Sequence, residues 1–421
     1  MVPTGVLAQD LAQGNAPYYL GASQAITHDS NLYRLSDSAP APIGGLSKSD
    51  TTHTSMAMAG LEQIAGRQRW RADGSLSAVR FGNNSALNHQ GYNLKLGADW
   101  ASVERLSGSV NAHIDKALVR FNNDSLVTNA FGRNIVTTRG FDGTVRMGVV
   151  TRWTLEAGVA YQRADYSALS YAARDFRQSS VALGLRYAPS SALSFALTAR
   201  QTTGQFPHVP TQVTSLVPAP AGTTNVADHY SGSNLDWSTR WVASAASQID
   251  ARLSWGHTRF DRATGNDFSG VTGQGTWTWR ATGKLRFEAR VARERGQDVT
   301  ALDLFAIGRA VDVSRTSTTW LLGATHEVSS KINLTASLGG SNRDLVDTRA
   351  TTGGSTTTTN TATSVHGSDH SELQSLGLRW TPTRSVLLGC DLSSERRSTQ
   401  SSLSSAYSSQ ALGCFGRFTL Q

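Results

Sequence analysis

The sequence predicts an all-β fold: a transmembrane antiparallel β-barrel of about 18 strands, with short turns at one membrane face and long loops at the other. Three observations predict it. Apolar and polar residues alternate at period two in stretches from Tyr18 to Leu420, which is the strand signal. The connections between these stretches alternate short and long. One face carries Leu, Val, Ala and Trp and the other Arg, Asp, Glu, Asn, Ser and Thr, so neither alone makes a soluble core for so many strands.

The clearest strand sets Tyr92, Leu94, Leu96, Ala98 and Trp100 against Asn93, Lys95, Gly97 and Asp99. The next sets Leu106, Gly108, Val110, Ala112 and Ile114 against Ser107, Ser109, Asn111, His113 and Asp115. The pattern returns at Trp153, Leu155, Ala157, Val159 and Tyr161, then at Val181, Leu183, Leu185 and Tyr187, then at Leu193, Phe195, Leu197 and Ala199. Later strands carry Ile249, Leu253 and Trp255; Leu285, Phe287, Ala289 and Val291; and Ile332, Leu334, Ala336 and Leu338. The last carries Leu412, Cys414, Gly416, Phe418 and Leu420.

Short connections fall near 65–67, 102–105, 151–152, 189–192, 243–247, 281–284, 329–331 and 382–385. Long ones fall near 35–50, 83–89, 116–134, 164–175, 204–227, 261–268, 296–313, 344–368 and 398–408. Seventeen connections imply eighteen strands. Strands of about 12 residues suit a tilted membrane crossing. A closed barrel pairs every backbone group and leaves no edge in lipid. An even strand number puts both termini at the short turns, the periplasmic side of bacterial outer-membrane barrels. The expected surroundings are outer-membrane lipid and lipopolysaccharide.

Residues 1–16 are expected to be a flexible segment and 17–421 a single barrel, because no Pro-rich or acidic linker divides the chain. No basic stretch followed by an apolar one opens the sequence, so any signal peptide is expected to have been removed or replaced. Trp70, Trp100, Trp153, Trp241, Trp279 and Trp380 share the apolar parity near short turns, as an aromatic girdle requires. Tyr161 and Tyr230 lie nearer the long loops and are candidates for the other girdle.

Composition excludes other classes. Charged residues are 17% of the chain, and no run of 18 apolar residues offers a transmembrane helix. Two cysteines give no disulfide scaffold and no zinc framework. Cys390 and Cys414 each lie twelve residues from 402, so they are placed to face each other across the last hairpin. They are either a disulfide or two small lipid-facing residues. No G-x-S-x-G or H-E-x-x-H motif occurs, and His366 and His370 sit in a loop-like Gly/Ser/Asp context. Gly270, Gly273 and Gly275 fall inside a strand, where close packing explains them better than phosphate binding. No enzyme activity, cofactor, metal or nucleic-acid partner is expected.

The polar parity reads out a lumen wall: Arg71, Lys95, Asp99, Asp115, Asp142, Arg146, Glu156, Arg186, Arg200, Asp236, Arg240, Arg252, Arg286, Glu288, Arg290, Arg343, Arg379, Asp391 and Arg417. With Arg280 and Arg315, and with Asp73, Asp250, Glu294, Glu327 and Glu395, the inward parity carries 14 basic and 12 acidic residues, close to balance although the chain carries a net charge of +8. Much of that excess sits at short turns, on Arg67, Arg105, Arg152, Lys284, Lys331 and Arg384. Interleaved charges of both signs brace a wall by cross-strand pairing, and as a set they keep it wet. Eighteen strands leave an aqueous lumen. Three long loops have their own character: 351–364 is low-complexity, 217–222 is extended by prolines, and 298–312 has helix-like apolar spacing suited to a structured outer loop.

Residues 25–38 read AITHDSNLYRLSDS, 67–81 RQRWRADGSLSAVRF, 87–96 LNHQGYNLKL, 133–139 RNIVTTR and 184–207 GLRYAPSSALSFALTARQTTGQFP. These stretches resemble the EpsL family of outer-membrane β-barrels from exopolysaccharide gene clusters associated with exosortase and PEP-CTERM systems. The D-x-N-L-[FY]-R-L motif, here Asp29 to Leu35, is the most specific of them. The resemblance implies a porin-like channel that exports a secreted exopolysaccharide with periplasmic and inner-membrane export components. It implies no catalytic residue. The alternative reading is a general diffusion porin for small hydrophilic solutes.

Overall fold

A computed structural model describes residues 17–421 except 43, 104, 122–130, 149–150, 213–222, 263–266, 296–314, 351–361 and 401–402. The expected flexible segment 1–16 and the loop stretches 217–222, 298–312 and 351–361 therefore lie outside the described residues.

The strands, in chain order, are β1 (Tyr18–Asp29), β2 (Asp50–Ala65), β3 (Gln68–Phe81), β4 (His89–Ala101), β5 (Leu106–Leu118), β6 (Ile135–Met147), β7 (Trp153–Tyr166), β8 (Phe176–Ser190), β9 (Leu193–Gln212), β10 (Thr223–Ser244), β11 (Ser247–Phe260), β12 (Phe268–Arg280), β13 (Leu285–Arg295), β14 (Arg315–Ser329), β15 (Ile332–Ala350), β16 (Ala362–Thr383), β17 (Val386–Thr399) and β18 (Tyr407–Leu420). Each pairs antiparallel with its neighbours, and β1 pairs with β18 from Leu20↔Leu420 to Asp29↔Ala411, so the sheet closes. At a strand spacing of ~4.8 Å and a tilt of ~40°, eighteen strands enclose a backbone cylinder about 36 Å across.

Every connection on one side is a turn of two to five residues. One two-residue turn joins β2 to β3 through Gly66, whose φ of +63° lies where a β-carbon is penalised. Basic side chains stitch neighbouring turns together. Arg67 donates to the Ser102 carbonyl at 2.9 Å, and Lys331 to the Pro382 carbonyl at 3.0 Å.

Two hairpins run taller than the sequence suggests. β9 and β10 pair out to Gln212↔Thr223, and β15 and β16 out to Ala350↔Ala362. Much of the expected loops 204–227 and 344–368 is therefore strand. The period-two signal fades there because, above the membrane, neither face needs to be apolar. The ladder continues through Pro207 and Pro210, with a register shift between Val226 and Asp228.

Two outward-facing tryptophans, Trp100 of the girdle and Trp320 on β14, lie on glycines of the next strand. A β-carbon at Gly108 would come within 2.6 Å of the Trp100 ring, and one at Gly340 within 2.5 Å of Trp320. The missing side chain on one strand seats the ring of the next. Trp277, Trp279 and Phe287 stack on the outer face at centroid distances of 5.8 and 5.6 Å. Cys390 and Cys414 are direct register partners on the outward parity of β17 and β18, and they form a disulfide.

Candidate functional site

The wall follows from parity. Leu20, Leu76, Leu96, Val159, Leu183 and Leu376 stand exposed on the outer face. The nineteen lumen residues read from the sequence all occupy the opposite face of their strands. An apolar surface that continues around a closed sheet is stable only in lipid. A single chain with an even number of antiparallel strands has the bacterial form of such a barrel. The chain is an outer-membrane β-barrel. Trp70, Trp153, Trp241, Trp279 and Trp380 project from its lipid face close to the short turns, with Trp100 at the same level.

On the inner face the charges neutralise each other between adjacent strands. Arg71 meets Asp99 at 2.8 Å, Arg240 meets Asp250 at 2.7 Å, and Arg379 meets Asp391 at 2.8 Å. Glu156 on β7 is shared by Arg146 of β6 at 3.5 Å and Arg186 of β8 at 2.7 Å. Arg200 holds Asp236 at 3.0 Å, and Arg290 lies 3.6 Å from Glu288 on its own strand. Asn93 and Asn111 donate to Asp115 and Asp142 at 3.1 and 2.8 Å. Most of these pairs are half-exposed, where a pair stabilises by only about 0–1 kcal/mol. Their larger consequence is electrical: where these pairs form, the wall is dense in charge yet locally neutral. Lys95, Arg252, Arg286 and Arg417 complete the inward set, with Arg417 buried among its neighbours.

Two features of the outer mouth escaped the sequence reading. The first is the loop joining β1 to β2, which folds back against the barrel. Tyr33 and Leu35 pack with Val79, Phe81, Leu87, Leu118 and Phe121, and Leu87 is 0% exposed. Arg34, beside them, takes a left-handed φ of 55° and is 5% exposed. Its guanidinium lies 2.9 Å from Asp29 and 3.1 Å from Glu395 on β17. Burial alone would lower the Arg34 pKa, but Asp29 and Glu395 outweigh it and push it up, so the charge persists. Arg120, just beyond β5, reaches the same Glu395 carboxylate. β5 and β17 are six strands apart, a third of the circumference, so this contact crosses the mouth instead of following the wall. Farther round, Arg343 on β15 binds Asp369 on β16 at 2.6 Å, both fully enclosed.

The second feature is an aromatic cluster inside the mouth. Phe176, Phe206, Tyr230 and Phe260 point inward from β8 to β11 with centroids 5.4–6.3 Å apart. Tyr230 is therefore not a lipid-facing girdle residue: it is 3% exposed and donates to Gln178. Its parity, shared with Asp236 and Arg240, was the available signal. Tyr161 does face outward. His370 is engaged with Asn342 and Glu372 at 2.5 and 3.2 Å.

No protein-family model matches the chain, and no curated protein matches it significantly. Among solved structures it is similar to the outer membrane protein OpdK from Pseudomonas aeruginosa, at TM-score 0.48 and 13% identity, over 96% of this chain and 99% of that one. It is similar to P. aeruginosa OpdL at TM-score 0.45 and 13% identity, over 96% and 99%. It is also similar to the open form of the ferric-catecholate import receptor Fiu from E. coli K12, at TM-score 0.46 and 8% identity, over 97% and 82%.

Proposed function

We propose that the barrel is a passive, porin-like channel for small hydrophilic solutes. The observation that supports this reading is the inner wall itself. Charged, amide and hydroxyl side chains line it around the barrel, and their charges cancel between neighbouring strands. Such a wall exchanges hydrogen bonds with a passing solute at little net cost and repels neither sign strongly. The inward latch at Arg34 and Glu395 narrows the mouth on the β1 side and sets a size limit. Liposome swelling tests this. Proteoliposomes should swell in isotonic monosaccharide at a rate that falls as solute size increases. Equal rates with and without protein would refute it.

Export of a secreted exopolysaccharide, with periplasmic and inner-membrane components as partners, is the second reading. Sequence motifs favour it, above all the stretch from Asp29 to Leu35, whose residues build the buried latch at the mouth. Gene deletion separates the readings. Unchanged polymer secretion, with none trapped in the periplasm, would remove the second.

A further inference from the structure

Three arginines stand in one row on the outward face of the barrel, at its long-loop end. Arg139 on β6 is the register partner of Arg163 on β7, and Arg163 is the partner of Arg177 on β8. All three are exposed. Residues two apart on a strand share a face, so the row sits directly above Phe141, Tyr161 and Ser179 on the outer surface. Lys116 on β5 shares that face one strand farther round, 5.8 Å from the centre of the Tyr92 ring.

Like charges directly opposite on neighbouring strands repel. The described residues relieve this only in part. Asp165 takes Arg163 at 2.8 Å, but it lies 3.8 Å from Arg139, too far for a hydrogen bond. Arg139 makes no hydrogen bond among the described residues. Arg177 donates to the neutral Gln205 side chain at 3.0 Å. Asp175, just before β8, accepts from the Tyr166 amide and lies 3.7 Å from His208. The far side of the barrel differs. There the exposed outward residues at the same end include Asp344 on β15 and Glu372 on β16. Arg259 on β11 also faces outward, with neutral Ser231 as its register partner.

We propose that this row binds the phosphorylated glucosamine headgroup of a lipopolysaccharide. The proposal rests on the outer-membrane location of the barrel and not on the channel reading. Guanidinium forks match phosphate oxygens in pairs. Three of them on adjacent strands, with backbones about 5 Å apart, converge on one phosphate and remove their mutual repulsion. Position selects a lipid over a soluble anion. A phosphate held at the row leaves its acyl chains lying on Phe141, Val159, Tyr161 and Val181, the exposed apolar surface just beneath. A soluble phosphate gains the charge contacts and none of that burial. The long-loop end is the extracellular one, so the lipid comes from the outer leaflet.

Native mass spectrometry of the full chain in detergent tests this, with hexa-acylated lipid A as the probe. The folded barrel should retain lipid A, and should retain dephosphorylated lipid A at least about ten-fold less. Arg139→Gln and Arg177→Gln should each weaken retention about ten-fold, as expected for one lost charge-assisted hydrogen bond. Arg139→Lys should keep part of the affinity, because the charge stays and the fork is lost. Arg259→Gln should change nothing. The same heat-modifiable gel migration in every variant separates lost binding from lost folding. Equal retention of dephosphorylated lipid A, or unaltered retention when Arg139→Gln and Arg177→Gln are combined, would overturn the site. Displacement by inorganic phosphate or by phosphatidylglycerol at equal concentration would overturn the assignment to lipopolysaccharide.

Discussion

Replacing Arg34 by Met removes the charge at the centre of the mouth latch and keeps the length of the side chain. The guanidinium is 5% exposed and contacts both Asp29 oxygens at 2.9–3.0 Å and Glu395 at 3.1 Å. Breaking a buried ion pair by removing one partner costs about 3–5 kcal/mol, because the other charge is stranded. Both stranded carboxylates keep some support here. Glu395 retains Arg120 and the Tyr407 hydroxyl at 2.8 Å. Asp29 retains the Asn31 amide at 2.9 Å and the Ser409 hydroxyl at 2.8 Å. Arg34→Met is therefore expected to cost about 2–3 kcal/mol, below the full penalty. Adding Asp29→Asn neutralises the worse-supported orphan and should return about half of the loss, a clear departure from additivity. Urea unfolding in micelles followed by tryptophan emission measures the loss, and amide exchange in the β1–β2 connection localises it. A change under about 0.5 kcal/mol with additive double-mutant behaviour would refute the argument that the latch is a buried charge network.

Two further substitutions test other parts of the structure. Tyr33 is 1% exposed with no hydrogen-bond partner for its hydroxyl, so Tyr33→Phe should stabilise the protein by about 1 kcal/mol. Burial pushes this phenol up to about 12 from 10.0, so its packing is intact below pH 10 and is lost as pH rises through about 12. The Phe variant should lack that alkaline loss when unfolding midpoints at pH 8 and pH 11.5 are compared. Unreduced protein should show no reactive thiol, and Cys390→Ala with Cys414→Ala should lower stability by about 2–4 kcal/mol, the usual effect of a cross-link over a loop of this size. A thiol titration finding two free cysteines would contradict this.

The strand period made the wall legible. A strand alternates faces strictly, so placing Leu94 in lipid places Lys95 in the lumen, and a one-residue slip would expose every polar residue to lipid. The cysteine pairing was legible for the same reason: equal spacing from one turn fixes the register. The mouth was not legible. Arg34, Arg120 and Glu395 meet across a third of the circumference, and no local pattern encodes a contact between strands that do not pair. Tyr230 went astray because an aromatic near a membrane boundary invites a girdle reading even when its parity points inward. The tall hairpins were missed because strands that leave the membrane no longer need an apolar face.

Single-channel recording in planar bilayers tests the central claim most directly. The account predicts discrete, long-lived steps in KCl and weak selectivity, because the inner-wall charges cancel in pairs. Asp391→Asn, which frees Arg379, should shift the reversal potential toward anions. A barrel that inserts and stays closed to ions under all voltages would contradict it.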